Sequence, residues 1–219
     1  MGTITRNAAN NFTTGGVILP AAINDTSVAS LTELENVAAG GAMTLISEQT
    51  ASASSSIDFT SGIDSTYPIY KFEFINIHLA TDNGEWGVNF TTDGTNFNVP
   101  KTTTYFYGNH FENDSSSELA YSTSRDLAQG TGTQQLAADV GTDNDQSTSG
   151  YMHLFNPSST TFVKHFISNT NYSHSADITI NAYVGGYGNT TSAITGVRFS
   201  AISGNIDAGT FKLYGIKGD

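Results

Sequence analysis

The sequence predicts an all-β protein, an antiparallel jelly-roll-like β-sandwich with an extended N-terminal arm. Short runs of alternating apolar and polar residues recur along the chain, separated by turn residues. The last of these runs, residues 210–216, places Phe211 and Leu213 on one face and Lys212 and Tyr214 on the other. Rossmann, P-loop and βαβ patterns are missing from the sequence, so an α/β enzyme is not expected.

Residues 1–40 differ from the rest because they contain too little apolar surface for a core of their own. Two interpretations stay open: a flexible tail, or an extended arm that docks on a neighbouring subunit or another protein. The arm interpretation predicts anchors, since a solvated tail does not need apolar residues. These anchors would be Ile4, Phe12, Val17, Ile18 and Leu19.

Residues 41–219 are expected to form the β-sandwich domain. About ten strands are predicted, at residues 43–49, 56–60, 69–79, 85–91, 96–107, 150–156, 161–169, 177–184, 193–202 and 210–216. The clearest is 69–79, which is apolar on both faces and therefore expected at the centre of a sheet. Strict alternation puts Tyr70, Phe72 and Phe74 on one face with Asn76 and His78.

The turn at residues 92–95, which contains Asp93-Gly94, predicts a hairpin between strands 85–91 and 96–107. A long insertion follows at about residues 109–149, rich in Ser, Thr, Gly and acids. Within it, residues 124–136 could form a short helix or one outer strand. We expect the insertion at the outer surface or at a subunit contact, because burying so many carboxylates would be costly.

Composition excludes several kinds of partner. The net charge is −12, with 8 basic residues against 20 acidic ones, which argues against nucleic-acid binding and against a polybasic membrane patch. No window is apolar enough for a membrane span, and residues 1–20 lack a signal-peptide pattern. The absence of cysteine excludes disulfides and thiolate metal sites.

No catalytic residue, metal site or cofactor is predicted, and the chain is expected not to be an enzyme. A G-x-S-x-G elbow and an HExxH motif are both missing, although paired carboxylates brought together by folding stay open. Asp143 and Asp145 have the spacing that hard cations prefer, but no complete EF-hand follows. They are either turn formers or a weak Ca²⁺ site.

Aromatic residues offer one further candidate, a platform for stacking sugars. The residues that could form it are Trp86, Tyr105, Tyr107, Phe111, Tyr121, Tyr151, Tyr172, Tyr183 and Tyr187. Of these, Trp86, Tyr107 and Tyr187 are predicted as glycan contacts, with Tyr187 the most exposed because it lies between two glycines. The alternative is ordinary packing in the core and at subunit interfaces.

The close of the chain, GNIDAGTFKLYGI at residues 204–216, resembles the end of β-sandwich proteins of marine bacteriophages. Residues 43–78, 152–168 and 186–209 strengthen this resemblance. It implies a non-enzymatic virion structural protein, a capsid decoration or fibre subunit. The partners implied are copies of the same chain in a homotrimer and other virion proteins. The alternative is an adhesin, at a fibre tip or on the head, that binds host glycan.

Overall fold

The computed structural model describes residues 43–217 of the chain. The all-β, antiparallel, sandwich-like class expected from the sequence is confirmed over these residues. The predicted arm, with its anchors Ile4, Phe12, Val17, Ile18 and Leu19, lies outside them. No helix among the described residues is long and apolar enough to cross a membrane.

Residues 43–217 form twelve strands. They are β1 (Met43–Ser54), β2 (Ser56–Phe59), β3 (Ile69–Leu79), β4 (Gly84–Thr91), β5 (Lys101–Phe111), β6 (Ser117–Tyr121), β7 (Gln134–Val140), β8 (Thr148–Phe155), β9 (Lys164–His174), β10 (Ile178–Gly188), β11 (Gly196–Ala201) and β12 (Ile206–Ile216). All of their pairings are antiparallel.

The strands form two layers joined at one side. The larger layer runs in the order β1-β12-β3-β8-β9-β10-β5-β6, and the smaller one in the order β7-β4-β11-β2. The pair Val140 and His174 links β7 to β9 and so connects the layers. Each layer presents one face to the core, and the second face of the larger layer is its outer face.

The core between the layers is dominated by aromatic rings. Phe74 of β3 packs edge-on against Trp86 of β4 and Phe199 of β11, at ring-centroid distances of 5.0 Å in both cases. Phe211 of β12 stacks on Phe199, and Phe90 of β4 contacts Phe166 of β9. These rings have at most 1% of their surface exposed, so aromatic packing from both layers stabilises the sandwich.

The prediction of which β3 side chains share a face of the sheet is correct only as far as Phe74. A bulge follows, since the register to β8 shifts between Phe74 and Ile77, and Asn76 has a φ of 52°. One extra residue reverses the alternation, so Ile77 is buried while Asn76 is exposed. The expectation that Asn76 and His78 share the face of Phe74 is therefore wrong. Gly209 lies opposite, where a Cβ would meet the Asn76 carbonyl at 2.7 Å.

The predicted hairpin between residues 85–91 and 96–107 is also wrong. The turn forms as expected, because Asp93 accepts hydrogen bonds from the backbone of Thr95 and Asn96. However, both edges of β4 are taken by β7 and β11, while β5 pairs with β10 and β6. Pro100 has no N–H to donate, and regular pairing of the next strand begins only at Lys101.

The expected insertion at 109–149 contains two strands with different surroundings. β6 lies at the outer edge of the larger layer, with Leu119 80% exposed. In contrast, β7 pairs with the central strand β4, and Leu136 and Val140 are fully buried. The part expected as a short helix or outer strand therefore leads into the core. Asp139 of β7 is half-buried and accepts a hydrogen bond from Arg125.

Candidate functional site: a groove on the outer sheet face

The strands β8, β9, β10 and β5 lie side by side and expose one continuous stretch of the outer face. Alternation along β10 sends Ala182 and Val184 into the core. It sends Tyr183, Gly185 and Tyr187 outward. This stretch therefore combines large aromatic side chains with a glycine that has none.

One row across these strands is aromatic. Tyr183 of β10 pairs with Phe106 of β5 on one side and Asn169 of β9 on the other, and Asn169 pairs with Tyr151 of β8. The Tyr183 and Phe106 rings are stacked, with centroids 5.0 Å apart and planes 8° from parallel. About 40% of each of these rings is exposed. Flat, accessible ring faces are therefore held in fixed positions.

The next row is low and forms the floor of a groove. Gly185 pairs with Thr104 of β5 and Ile167 of β9. A depression of about 340 Å³ lies between Gly185 and the aromatic row. A second one, of about 360 Å³, lies between Gly185 and the pair His165 and Tyr187. Both depressions share Gly185 and Ile167 and together make one groove, here called the Gly185 groove.

A chain of hydrogen bonds orients the aromatic wall. Asn169 donates from Nδ2 to the Oδ1 of Asn181 at 2.8 Å, and Asn181 donates to the hydroxyl of Tyr183 at 2.9 Å. Asn169 also bonds the carbonyl of Ala182. The Tyr183 hydroxyl keeps its own proton free to donate to a ligand. The wall is thus ordered before any ligand arrives, which lowers the entropy cost of binding.

Within residues 43–217, the lining of the Gly185 groove contains no Asp, Glu, Lys or Arg. Lys71 of β3 reaches Tyr151 from the side, with Nζ 5.7 Å from the ring centre, and bonds Glu73 at 2.7 Å. Burial and the charge of Lys71 lower the pKa of His153, the residue beside Ile167 on β8, so this imidazole is neutral at pH 7. The groove therefore suits an uncharged ligand.

The three aromatic residues predicted to contact glycan do not come together. Trp86 is fully buried, because its ring packs in the core against Phe74 and Phe211. The prediction that Trp86 contacts glycan is therefore wrong. Tyr107 faces the core side of β5, where it packs on Tyr105 with ring centres 6.4 Å apart. Tyr187 does lie in the groove, with its ring 5.8 Å from that of His165.

Sequence reasoning missed Phe106 and Gly185, and it did not separate Tyr151 and Tyr183 from buried aromatics. A signal for part of this exists in the chain. In β10, apolar residues alternate with Asn181 and Tyr183. This pattern places Tyr183 and Val184 on opposite faces of the sheet. The neighbours of Tyr183 on other strands depend on pairing over long distances, which alternation does not specify.

Other candidate chemistry is dispersed. Asp143 and Asp145 are exposed in a loop, and within residues 43–217 no group of three or more His, Asp or Glu could hold a metal. Asp145 lines a polar depression together with His78 and Asp207, in which the His78 and Asp207 side chains are 3.5 Å apart. His110 bonds Asp114 at the exposed end of β5.

Comparison of the chain with protein-family models, with curated proteins and with solved structures finds no match.

Proposed function

We propose that the protein is a non-enzymatic structural subunit of a bacteriophage particle, which assembles with copies of itself into a homotrimer on the particle surface. The resemblance of residues 204–216 to marine phage β-sandwich proteins supports the particle assignment. The observation that carries self-assembly is that the larger layer has two different strands at its ends, each with one edge unpaired within the described residues.

The first open edge belongs to β1, the longest of the twelve described strands. Over Met43–Ser54 it pairs only with β12 among the described residues. It contains neither Lys, Arg nor Pro, and its one charged residue, Glu48, is paired with Lys212 of β12. A bulge lies between Leu45 and Ser47, and the pairing is then regular to Ser52. A long regular edge of this kind is a template for a strand from another chain.

The second open edge belongs to β6, at the opposite end of the layer. Within the described residues it pairs only with β5. Its side chains Leu119 and Tyr121 are 80% and 51% exposed. Such exposure of large apolar groups at an edge favours coverage by a partner.

Because the two edges are different, pairing of β6 from one copy with β1 of the next is a head-to-tail contact. Head-to-tail contacts form a closed ring when the rotation between copies closes. We propose that closure occurs at three subunits, in line with the trimer that the resemblance implies. The arm, residues 1–40 with anchors Ile4, Phe12, Val17, Ile18 and Leu19, would then be available to other virion proteins.

The edge contact is tested with a charge at its centre. Leu119→Lys should reduce the sedimentation coefficient of the purified full chain to that of a monomer, because β6 would meet β1 with a solvated ammonium. Phe162→Lys is the matched control, since Phe162 is 68% exposed in the loop before β9 and away from both edges. A Leu119→Lys protein that keeps the wild-type oligomer overturns the proposed contact.

The particle assignment is tested separately by immunogold labelling of intact particles with antibody against the purified chain. Label on heads or fibres supports the assignment, and its absence from particles overturns it.

A second candidate function, host-glycan binding, is favoured by the Gly185 groove. It is compatible with the first, because the groove lies on the sheet face and the proposed contact uses the sheet edges.

A further inference from the structure

We propose that the Gly185 groove is a carbohydrate-binding site for a neutral hexose chain. In this site a sugar ring stacks on the Tyr183 and Tyr151 side of the groove and extends over Gly185 towards Tyr187. This inference rests on the described residues of β5, β8, β9 and β10 alone, and it does not depend on the particle assignment.

The floor of the groove is open because Gly185 has no side chain. A Cβ placed there would lie 3.7 Å from Thr104 Oγ1 and 4.0 Å from Ile167 Cγ2, which are ordinary contacts. The fold therefore does not require glycine at this position, although glycine in mid-strand lowers stability. Glycine within a strand often marks a place where a ligand comes close to the backbone.

The neighbouring residue Gly186, in contrast, is a glycine that the packing of the fold requires. At Gly186 a Cβ would lie 2.5 Å from the Thr102 carbonyl, so packing alone explains that glycine. Packing does not explain Gly185 in this way. Because Gly185 has no side chain, the two depressions are joined by a continuous floor.

The walls of the groove combine aromatic faces with hydrogen-bonding groups. The apolar faces of a pyranose ring stack on aromatic faces, and its hydroxyls need hydrogen-bond partners at the ring edge. The Tyr151 and Tyr183 rings supply the faces. The Tyr183 hydroxyl, the Asn169 amide oxygen and the His165 imidazole supply donors or acceptors beside them.

The charge of the groove lining and of the whole chain also restricts the ligand. Among the described residues the groove lining contains no Asp, Glu, Lys or Arg, while the whole chain carries a net charge of −12. A uronic acid or sialic acid would find no Lys or Arg in this lining, since the nearby Lys71 is paired with Glu73, and it would be repelled by the acidic protein. A neutral hexose meets neither penalty, so we assign the ligand class to neutral oligosaccharides.

The test is calorimetric titration of the full chain with cellohexaose, maltohexaose and mannohexaose, with hexagalacturonate as the charged probe. We expect at least one neutral hexasaccharide to bind with a Kd below about 1 mM, and hexagalacturonate to bind at least tenfold more weakly. If none of the neutral probes binds, or if hexagalacturonate binds best, the proposal is overturned.

The site is located by Gly185→Val, which fills the floor of the groove at a position where a Cβ makes only ordinary contacts. It should reduce affinity for the neutral probe at least tenfold while the protein stays folded. Gly108→Val is the matched control: Gly108 lies in mid-strand on the outer face of β5, and a Cβ there meets only the Glu118 carbonyl, at 3.9 Å. Equal binding by wild type and Gly185→Val contradicts the assignment.

Tyr183→Phe separates stacking from hydrogen bonding. It should keep stacking and lose the hydroxyl, with a three- to tenfold weaker affinity, whereas Tyr183→Ala should abolish detectable binding. If Gly185→Val instead dissociates the oligomer, the groove is an interface between copies and the carbohydrate assignment is wrong. Leu119→Lys should leave sugar binding unchanged, so the failure of one proposal is distinguishable from the failure of the other.

Discussion

The Nζ of Lys101 donates a hydrogen bond of 2.6 Å to the Oδ1 of Asn89 in the interior of the protein. Lys101 has no exposed surface, and its second bond goes to the carbonyl of Val99 at 3.2 Å. No carboxylate among the described residues lies within ion-pair distance of it. Because burial disfavours the charged form, the pKa of Lys101 is lowered to about 8.

We predict that stability rises between pH 8 and pH 10. The unfolded chain keeps the Lys101 proton up to a pKa of 10.5, whereas the folded protein releases it at about 8. Folding is therefore favoured as pH rises through this window, by at most about 3 kcal/mol. Urea denaturation at pH 7, 8, 9 and 10 measures the effect, and the rise should be smaller in Lys101→Met. Equal slopes in both proteins would show that Lys101 does not cause the rise.

The increase should stop above pH 10. Burial raises the pKa of Tyr105 and of Tyr172, whose hydroxyls are 3.4 Å apart in the core. The unfolded chain then loses phenol protons that the folded protein keeps, so stability falls with further increase in pH. Tyr105→Phe should move the onset of this fall to higher pH, as followed by circular dichroism. An unchanged onset would contradict the role of Tyr105.

We predict that Trp86→Ala lowers the free energy of unfolding by about 3–5 kcal/mol. The ring is fully buried, contacts Phe74 and Phe211, and directs its N–H at the Thr148 hydroxyl 3.4 Å away. Denaturant titration measures the loss. Phe162→Ala, at an exposed site, should change stability by less than about 0.5 kcal/mol. Similar small losses in both variants would contradict the assignment of Trp86 to the core.

Two glycines should respond to substitution in opposite directions. Gly185→Ala should raise the free energy of unfolding by about 0.5–1 kcal/mol, since the site has room for a methyl group. Gly150→Ala should lower it by about 1–3 kcal/mol, because a Cβ there would lie 2.2 Å from the Asn169 carbonyl. Thermal melts of both variants provide the comparison. A destabilised Gly185→Ala would mean that the fold, and not a ligand, requires that glycine.

Arg198→Lys should lower stability by about 1 kcal/mol although it keeps the charge. Arg198 of β11 bonds both carboxylate oxygens of its register partner Asp58 on β2, at 2.8 and 2.6 Å. Its guanidinium also lies 4.0 Å from the centre of the Phe97 ring. Lysine can replace neither the paired bonds nor the stacking. Lys212→Arg is the control, because Lys212 makes a single ion pair with Glu48 at 3.1 Å, and it should be near neutral in the same denaturation assay.

Much of the fold could be predicted from local patterns. Alternation located β3, β10 and β12, and the turn residues at Asp93 were read correctly as a turn. The partners of the strands could not be predicted in this way. The turn favoured a hairpin, but β4 pairs at its two edges with β11 and β7, which come from distant parts of the chain that a local turn pattern does not specify.

The wrong prediction of which face Asn76 and His78 occupy has a structural cause, the bulge in β3, that the local sequence does not reveal. The bulge at Asn76 depends on Gly209 of β12, which has a φ of 120° and lies across from it. The two positions are far apart in the chain, so neither alone signals the change. The Gly185 groove was missed for the same reason, since Tyr151, Tyr183 and Phe106 belong to three strands that meet only through the sheet register.

Head-to-tail assembly into a trimer is tested most directly by disulfide trapping. The chain has no cysteine, so Leu45→Cys on β1 and Leu119→Cys on β6 introduce the only thiols. Oxidation of the double variant should give a covalent ladder that ends at three times the subunit mass of 23.2 kDa. A mixture of the two single variants should give only the mixed 45–119 dimer. Dimers of a single variant with itself, without the mixed dimer, would contradict head-to-tail assembly.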